Sequence, residues 1–158
     1  MVEILTDQEI RDLLQEPKPL PKNFRKRIEV RPKHGHKERE LFVKGRQGSE
    51  FRLILRQSDF NRLDFSVILV LRPRKSSQHF RLCRYNGKSH EHTNPLEGET
   101  FYDYHIHLAT ERYQESGYRE DTYAEITDRY TELAGAIECL IDDCGFERPE
   151  HDRLPLFE

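Results

Sequence analysis

The sequence predicts an α+β fold, a five- or six-stranded antiparallel curved sheet or partly open barrel with a C-terminal helix packed on one face. Segments between residues 24 and 107 alternate apolar and polar side chains with the period of a β-strand. The intervening stretches are too short for the helical crossovers that parallel strands need, so we expect an antiparallel or mixed sheet. After Thr127, apolar residues recur at helical spacing until Gly145, which predicts the C-terminal helix.

The N-terminal elements are indicated by capping and proline signals. Thr6 to Glu9 form a capping-box pattern, which predicts a helix within residues 1–16. Three prolines then predict a stiff connector over residues 17–23, because proline cannot continue a helix.

The remaining chain divides into a sheet, a helical part and a tail. The sheet is predicted over residues 24–107, with strands at 24–30, 40–44, 50–57, 65–71, 80–85 and about 100–107. The segment 65–71 is apolar on both faces, which is typical of a central strand. Residues 108–145 form the helical part, whose main helix spans 128–144, and residues 146–158 are a polar tail.

Composition favours one cytoplasmic domain over residues 1–158. There is no apolar run near eighteen residues, and the N-terminus lacks the basic start and apolar stretch of a secretory signal, so we expect no membrane contact. Cys83, Cys139 and Cys144 are an odd number without metal-type spacing, and we interpret them as reduced thiols.

The net charge of −3 conceals a strong division along the chain. Residues 18–88 hold twenty Lys and Arg against six Asp and Glu, a balance of +14, whereas residues 89–158 hold five against eighteen, a balance of −13. Such asymmetry indicates nucleic-acid contact, although the two halves could also neutralise each other.

The basic segment predicts a sheet with one arginine-rich face. Arginine binds phosphate oxygens with two parallel hydrogen bonds, so this face would hold a nucleic-acid backbone. The alternative is an ordinary solvated face on which arginines pair with neighbouring glutamates. The candidate nucleic-acid-binding residues are Arg25, Arg27, Arg31, Arg52, Arg56, Arg81, Arg84 and Lys88.

Two His-x-His pairs give the strongest chemical signal. If residues 101–110 are extended, alternation places Asp103, His105 and His107 on one face and directs Ile106 and Leu108 into the core. Imidazole is the commonest protein metal ligand, so a divalent metal is one interpretation. Its candidate ligands are His90, His92, His105, His107 and Asp103.

The same region also suits metal-free acid–base cleavage of a phosphodiester, and a purely structural hydrogen-bonding role is the third interpretation. For catalysis, the candidates are His105, His107, His90, His92, Glu97 and Arg112. We expect His105 and His107 to matter more than the loop pair, because a strand fixes side-chain direction.

Two resemblances bear on this region. The spacing from Gly87 through the first histidine pair to Glu97 is loosely similar to the first cupin motif, with a different glycine spacing and no second motif. The stretches 84–87, 91–98 and 105–114 (RYNG, EHTNPLEG and HIHLATERYQ) resemble a small uncharacterised prokaryotic family. That resemblance implies a free-standing protein and no particular activity.

The leading functional hypothesis is a nucleic-acid-associated protein, in the form of a small endoribonuclease of toxin type. One alternative is a non-catalytic regulator or inhibitor that binds a protein through its acidic, tyrosine-containing segment 111–143, and a further one is a metal-binding cupin-like protein. A third partner type is suggested by the tail, whose Leu154, Leu156 and Phe157 resemble the pentapeptide that docks on the bacterial sliding clamp, with Arg153 where that pattern begins with glutamine.

Overall fold

A computed structural model describes residues 4–73 and 78–152. Its largest unit is a seven-stranded sheet of β2 (Arg31–Lys33), β3 (His36–Lys44), β4 (Glu50–Ser58), β5 (Phe65–Arg72), β6 (Phe80–Asn86), β9 (His105–Leu108) and β10 (Ala124–Ile126). Every neighbouring pair is antiparallel, and the order is β10-β9-β6-β5-β4-β3-β2.

Four helices and two small strand pairs complete the fold of the described residues. The helices are α1 (Asp7–Gln15), α2 (Phe24–Arg27), α3 (Glu111–Glu115) and α4 (Leu133–Asp143). The strands β7 (His92–Asn94) and β8 (Glu99–Phe101) form an antiparallel hairpin, and β1 (Lys18–Pro19) pairs in parallel with β11 (Phe146–Glu147). The predicted α+β class is therefore confirmed: the sheet is open, and the C-terminal helix packs on it.

One face of the sheet builds the hydrophobic core. The strand-like alternation is clearest in β4 and β5, where Leu53, Leu55, Val67 and Leu69 are buried on the face that α4 covers. The opposite face carries the other half of each strand, including Arg52 and Ser66. Because β5 lies between β4 and β6 in the middle of the sheet, the prediction that it is a central strand is confirmed.

The first predicted strand is wrong. Phe24–Arg27 forms the short helix α2, and Phe24 and Ile28, four residues apart, both enter the core. That spacing places both side chains on one helical face, whereas a strand would also turn Lys26 toward the core between them. Alternation in so short a segment did not distinguish the two structures.

Two further expectations need correction. The single strand predicted near residues 100–107 is divided into β8, which belongs to the small hairpin, and β9, which belongs to the large sheet. The segment predicted to be helical, 108–145, contains the edge strand β10, and β11 opens the segment predicted to be a polar tail.

Near the paired strands β1 and β11, a buried lysine joins two helix ends. The Nζ atom of Lys18 lies 2.7–3.0 Å from the carbonyl oxygens of Leu13, Leu14, Glu16 and Cys144, so its three N–H groups are shared among four carbonyls at the ends of α1 and α4. It also lies 4.4 Å from the centre of the Phe51 ring. The ammonium thus satisfies carbonyls that the ends of two helices leave without an internal partner.

No helix in residues 4–73 or 78–152 is long and apolar enough to cross a lipid bilayer.

Candidate metal centre

The site begins with the two histidines of β9. Ile106 and Leu108 pack against the core, as expected, so His105 and His107 lie on the opposite face of the sheet. They are nevertheless shielded from solvent: 1% of the surface of His105 and 4% of that of His107 is exposed. Both imidazoles point away from the core but are buried, and the β7–β8 hairpin contributes to their burial through ring contacts.

Asn94 anchors this hairpin to the edge of the sheet. It is completely buried, and its amide donates to the carbonyl of Ala124 at 2.8 Å and accepts from the backbone N–H of Ala124 at 2.9 Å. The side chain thereby supplies the hydrogen bonds that another strand would make with β10. The hairpin that carries His92 is held over β9 as a result.

Three imidazoles converge under the hairpin. The rings of His92 and His105 stack with centroids 5.4 Å apart, and His107 stands edge-on to both at 4.8 and 4.9 Å. One ring nitrogen from each histidine lies within 4.8 Å of the other two. Phe101 closes the cluster, with its ring 5.4 Å from His92 and 5.7 Å from His105.

Hydrogen bonds fix the tautomer of each ring. His105 Nδ1 lies 2.7 Å from the carbonyl oxygen of Asp103, and His107 Nδ1 lies 2.8 Å from that of Asp121. A carbonyl only accepts, so both Nδ1 atoms carry the proton and both Nε2 atoms keep a lone pair. His92 Nε2 donates to Asn94 Oδ1 at 2.8 Å, which leaves Nδ1 of that ring as the unprotonated atom.

The protein holds the two β9 histidines in the neutral form. Burial, with smaller contributions from the neighbouring histidines and Arg84, lowers the pKa of His105 to about 4. Burial, followed by the positive charge of Arg84, lowers the pKa of His107 to about 2. Both rings are therefore neutral at physiological pH, the form in which imidazole binds metals.

Two ionisable groups border the cluster. Arg84 lies directly opposite His107 in the β6–β9 pair, so both are on the same face of the sheet. Its Nε atom is 3.4 Å from Oδ2 of Asp121, a carboxylate of which 1% is exposed. Neither of these two atoms has a hydrogen-bond partner, and neither does Nε2 of His105. Burial raises the pKa of Asp121.

Residues 5–144 match a family of unknown function, DUF6978. The chain belongs to this family. The match confirms the resemblance to an uncharacterised family that the motifs indicated. No curated protein and no solved structure matches the chain.

In this DUF6978 protein, two of the five predicted metal ligands lie outside the cluster. His90 is exposed and hydrogen-bonds to Ser89, although it is near enough to lower the pKa of His105. Asp103 lies in a bend before β9, and it contributes its backbone carbonyl to His105. The open sheet also lacks the closed barrel of a cupin, so the cupin-like alternative gains no support.

The predicted catalytic pair Glu97 and Arg112 is engaged elsewhere. Glu97 accepts from Arg112 and from the hydroxyl of Tyr113, and the same hydroxyl accepts from the backbone N–H of Leu96. These bonds tie the turn of the β7–β8 hairpin to α3. The two residues thus hold the hairpin in place, and their opposite charges neutralise each other in an ion pair.

The predicted basic residues are divided between helix α2 and the sheet, and the register places those of the strands on the face that carries the histidines. Arg25 lies on α2 and is paired with Glu138 and Asp152, while Arg27 and Arg31 are exposed on α2 and β2. On the face that carries the histidines, Arg52 lies 3.9 Å from Glu40. Arg56 is exposed on the same face opposite Glu38, Arg81 and Arg84 lie on β6, and Lys88 is half-buried beside Tyr102.

The tyrosines of the acidic segment are largely internal. Tyr113 and Tyr130 are buried, Tyr123 is half-buried and only Tyr118 of the four is exposed. Tyr130 donates its hydroxyl hydrogen to the carbonyls of Asn86 and His105, so it supports the strand under the cluster. The clamp-like motif at 153–157 lies outside the described residues.

Asn94 and Asp121 belong to the site but were not predicted from the sequence, because neither belongs to a recognised ligand spacing. A signal for Asn94 was present in its separation by one residue from His92, which allows a hydrogen bond between neighbours on one side of a strand. Asp121 lies fourteen residues from His107, and no local pattern connects them.

Proposed function

We propose that this DUF6978 protein binds a divalent transition metal through His92, His105 and His107. One observation carries the proposal: each of the three rings has one nitrogen engaged with an oxygen acceptor and the other left with a lone pair. Metal-binding histidines characteristically donate their second N–H to a carbonyl or carboxyl oxygen, which sets the tautomer and orientation of the ring.

The donor set fits such an ion. Imidazole suits zinc, copper, iron and nickel, and three histidines with one further position is the ligand arrangement of several catalytic zinc sites. Tetrahedral binding at about 2.0–2.1 Å requires ligand nitrogens about 3.3 Å apart. The three ligand nitrogens lie within 4.8 Å of one another, so metal binding would draw them together by up to about 1.5 Å.

With His92, His105 and His107 as its ligands and one position left over, such a metal would supply an activated water for hydrolysis at neutral pH. The chain itself would supply the neutral ligands, a partly covered site and a positive charge at Arg84. We infer from these features that the reaction is a hydrolysis and that its substrate is anionic.

The test is metal binding by purified protein and by single variants. Zinc affinity, measured by competition with a chromophoric chelator, should fall at least about 100-fold in His105→Ala and His107→Ala, because each loses one of three ligands. His90→Ala is the matched control, since His90 is a neighbouring histidine outside the cluster, and it should bind like the wild type.

The competing explanation is that the rings form a metal-free packing cluster. In that case the wild type would bind zinc no better than His105→Ala, and metal analysis of the protein would give less than one equivalent. A zinc-dependent rise in the melting temperature of the wild type that is absent from His107→Ala would refute the packing explanation.

A second candidate function is association with nucleic acid, with cleavage of RNA as the specific reaction. It is favoured by the exposed Arg56 and by Phe42, of which 65% is exposed, because both lie on the face that carries the histidines. Basic and aromatic side chains on one sheet face are suited to phosphates and bases. The pairing of Arg52 with Glu40 counts against a strongly positive surface.

Incubation with RNA and DNA at low salt, with and without EDTA, separates these functions. Cleavage that EDTA abolishes would show that hydrolysis of the nucleic acid depends on the metal. Binding without cleavage would support association with nucleic acid only. Failure to bind or cut either polymer would exclude this second candidate.

The three unpaired cysteines support our expectation of a reducing, cytoplasmic compartment.

A further inference from the structure

We propose that Arg84 and the three-histidine cluster together form a binding position for the oxyanion of a substrate, a phosphate or carboxylate group. This inference rests on the proposed metal centre and adds the chemistry of the group that approaches it. It is carried by the position of Arg84 and by the hydrogen bonds that Arg84 does not make.

Arg84 is placed beside the cluster by strand pairing. It faces His107 across β6 and β9, while Asn86 faces His105 in the next pair on the same face. The guanidinium and the imidazole of His107 therefore project from neighbouring positions on one face of the sheet. A cation fixed at this point is suited to a ligand that carries negative charge.

The guanidinium retains unused hydrogen-bonding capacity. About 25% of the Arg84 side chain is exposed, its buried Nε has no hydrogen-bond partner, and its guanidinium makes no hydrogen bond to another side chain or to the backbone within residues 4–73 and 78–152. Its N–H donors remain available to two oxygens of one ligand.

Asp121 holds the arginine without saturating it. Its backbone carbonyl accepts from His107 Nδ1, and its buried carboxylate lies 3.4 Å from Arg84 Nε, so one residue positions both sides of the proposed site. Oδ2 of Asp121 attracts the guanidinium through its charge but makes no hydrogen bond to Nε. The terminal N–H groups of Arg84 therefore stay free for a ligand.

The experiment uses protein loaded with Co²⁺, whose visible absorption reports ligands that reach the metal. Inorganic phosphate and acetate are titrated separately. We expect saturable spectral changes in the wild type, and the preferred anion identifies the substrate class as phosphate or carboxylate. In Arg84→Met the affinity for that anion should fall at least about tenfold, because two charge-assisted hydrogen bonds are lost.

Arg72→Met is the matched control. Arg72 is an exposed arginine on β5, on the same face and paired with Glu50 of β4, so its loss removes an equal charge at a distance from the cluster. Its anion affinity should equal that of the wild type. Removal of the charge at Arg84 should also tighten Co²⁺ binding by roughly three- to tenfold, because a nearby cation repels the metal.

The outcomes distinguish this inference from the proposed function. If the wild type does not bind Co²⁺, the metal centre is refuted and the oxyanion position with it. If Co²⁺ binds but neither anion changes the spectrum, or Arg84→Met binds anions like the wild type, only the oxyanion position is overturned. Should Arg84→Met fail to fold, Arg84→Lys carries the same comparison, since it keeps the charge beside Asp121 but loses the paired donors.

Discussion

Asn94 connects the stability of the hairpin to the geometry of the metal centre, so Asn94→Ala is the sharpest single test of the structure. The substitution removes both hydrogen bonds to the Ala124 backbone and the acceptor for His92 Nε2. We expect two losses: a lower free energy of unfolding and a weaker affinity for zinc. Both follow from the same amide.

The sizes of the two losses follow from the burial of the groups left behind. Asn94 and Ala124 are both buried, so the backbone N–H and C=O of Ala124 lose their partners in a site that water reaches poorly. At about 1–3 kcal/mol for each unsatisfied group, and with some relaxation of the hairpin, the destabilisation should be about 2–4 kcal/mol. Loss of the group that orients a metal ligand should weaken zinc binding about 10–100-fold.

Urea unfolding and chelator competition measure these two quantities on the same preparations. Thr93→Val is the control, because it removes an exposed hydroxyl contact with Thr100 in the same hairpin and leaves the amide in place. It should change neither quantity appreciably. An Asn94→Ala protein that is destabilised but binds zinc with wild-type affinity would refute the role of Asn94 in positioning His92.

Three further predictions concern the rest of the fold. Burial lowers the pKa of Lys18 to about 8, below its usual value of 10.5 in the unfolded chain, so the folded state carries a penalty below pH 8 that is lost as the pH rises to 10.5. The stability of the wild type relative to Lys18→Met should therefore rise by up to about 3 kcal/mol over that range, and a constant difference in urea unfolding would contradict this. In the native protein the half-buried Cys139 should react with a thiol reagent before the buried Cys83 and Cys144, which should react only on unfolding; equal rates would show that the core opens readily. Gly145→Ala should lower the melting temperature, because Gly145 has a φ of +72° and an added Cβ would lie 2.7 Å from the carbonyl oxygen of Glu16; an unchanged melting temperature would show that this helix end adapts easily.

The elements that the sequence predicted correctly are those with a strong local period. The capping box at Thr6 and Glu9 is present, the apolar stripe near the C-terminus forms α4, and the apolar run 65–71 lies within the central strand β5. The segment around Phe24 was read as a strand because four residues contain too little of either period to decide. Long-range packing of α2 against the core decided it.

The candidate site divides in the same way. The sequence by itself determined that His105 and His107 share one face of a strand, because alternation of side chains is a property of the extended backbone. Only the tertiary structure decided which groups meet them: His92 joins the cluster through a hairpin while His90, two residues earlier, stays outside. Arg84 and Asp121 likewise reach the site through strand pairing and a distant loop. Which residues pack against the histidine face of β9 depends on contacts between positions far apart in the chain. A local sequence pattern does not contain that information.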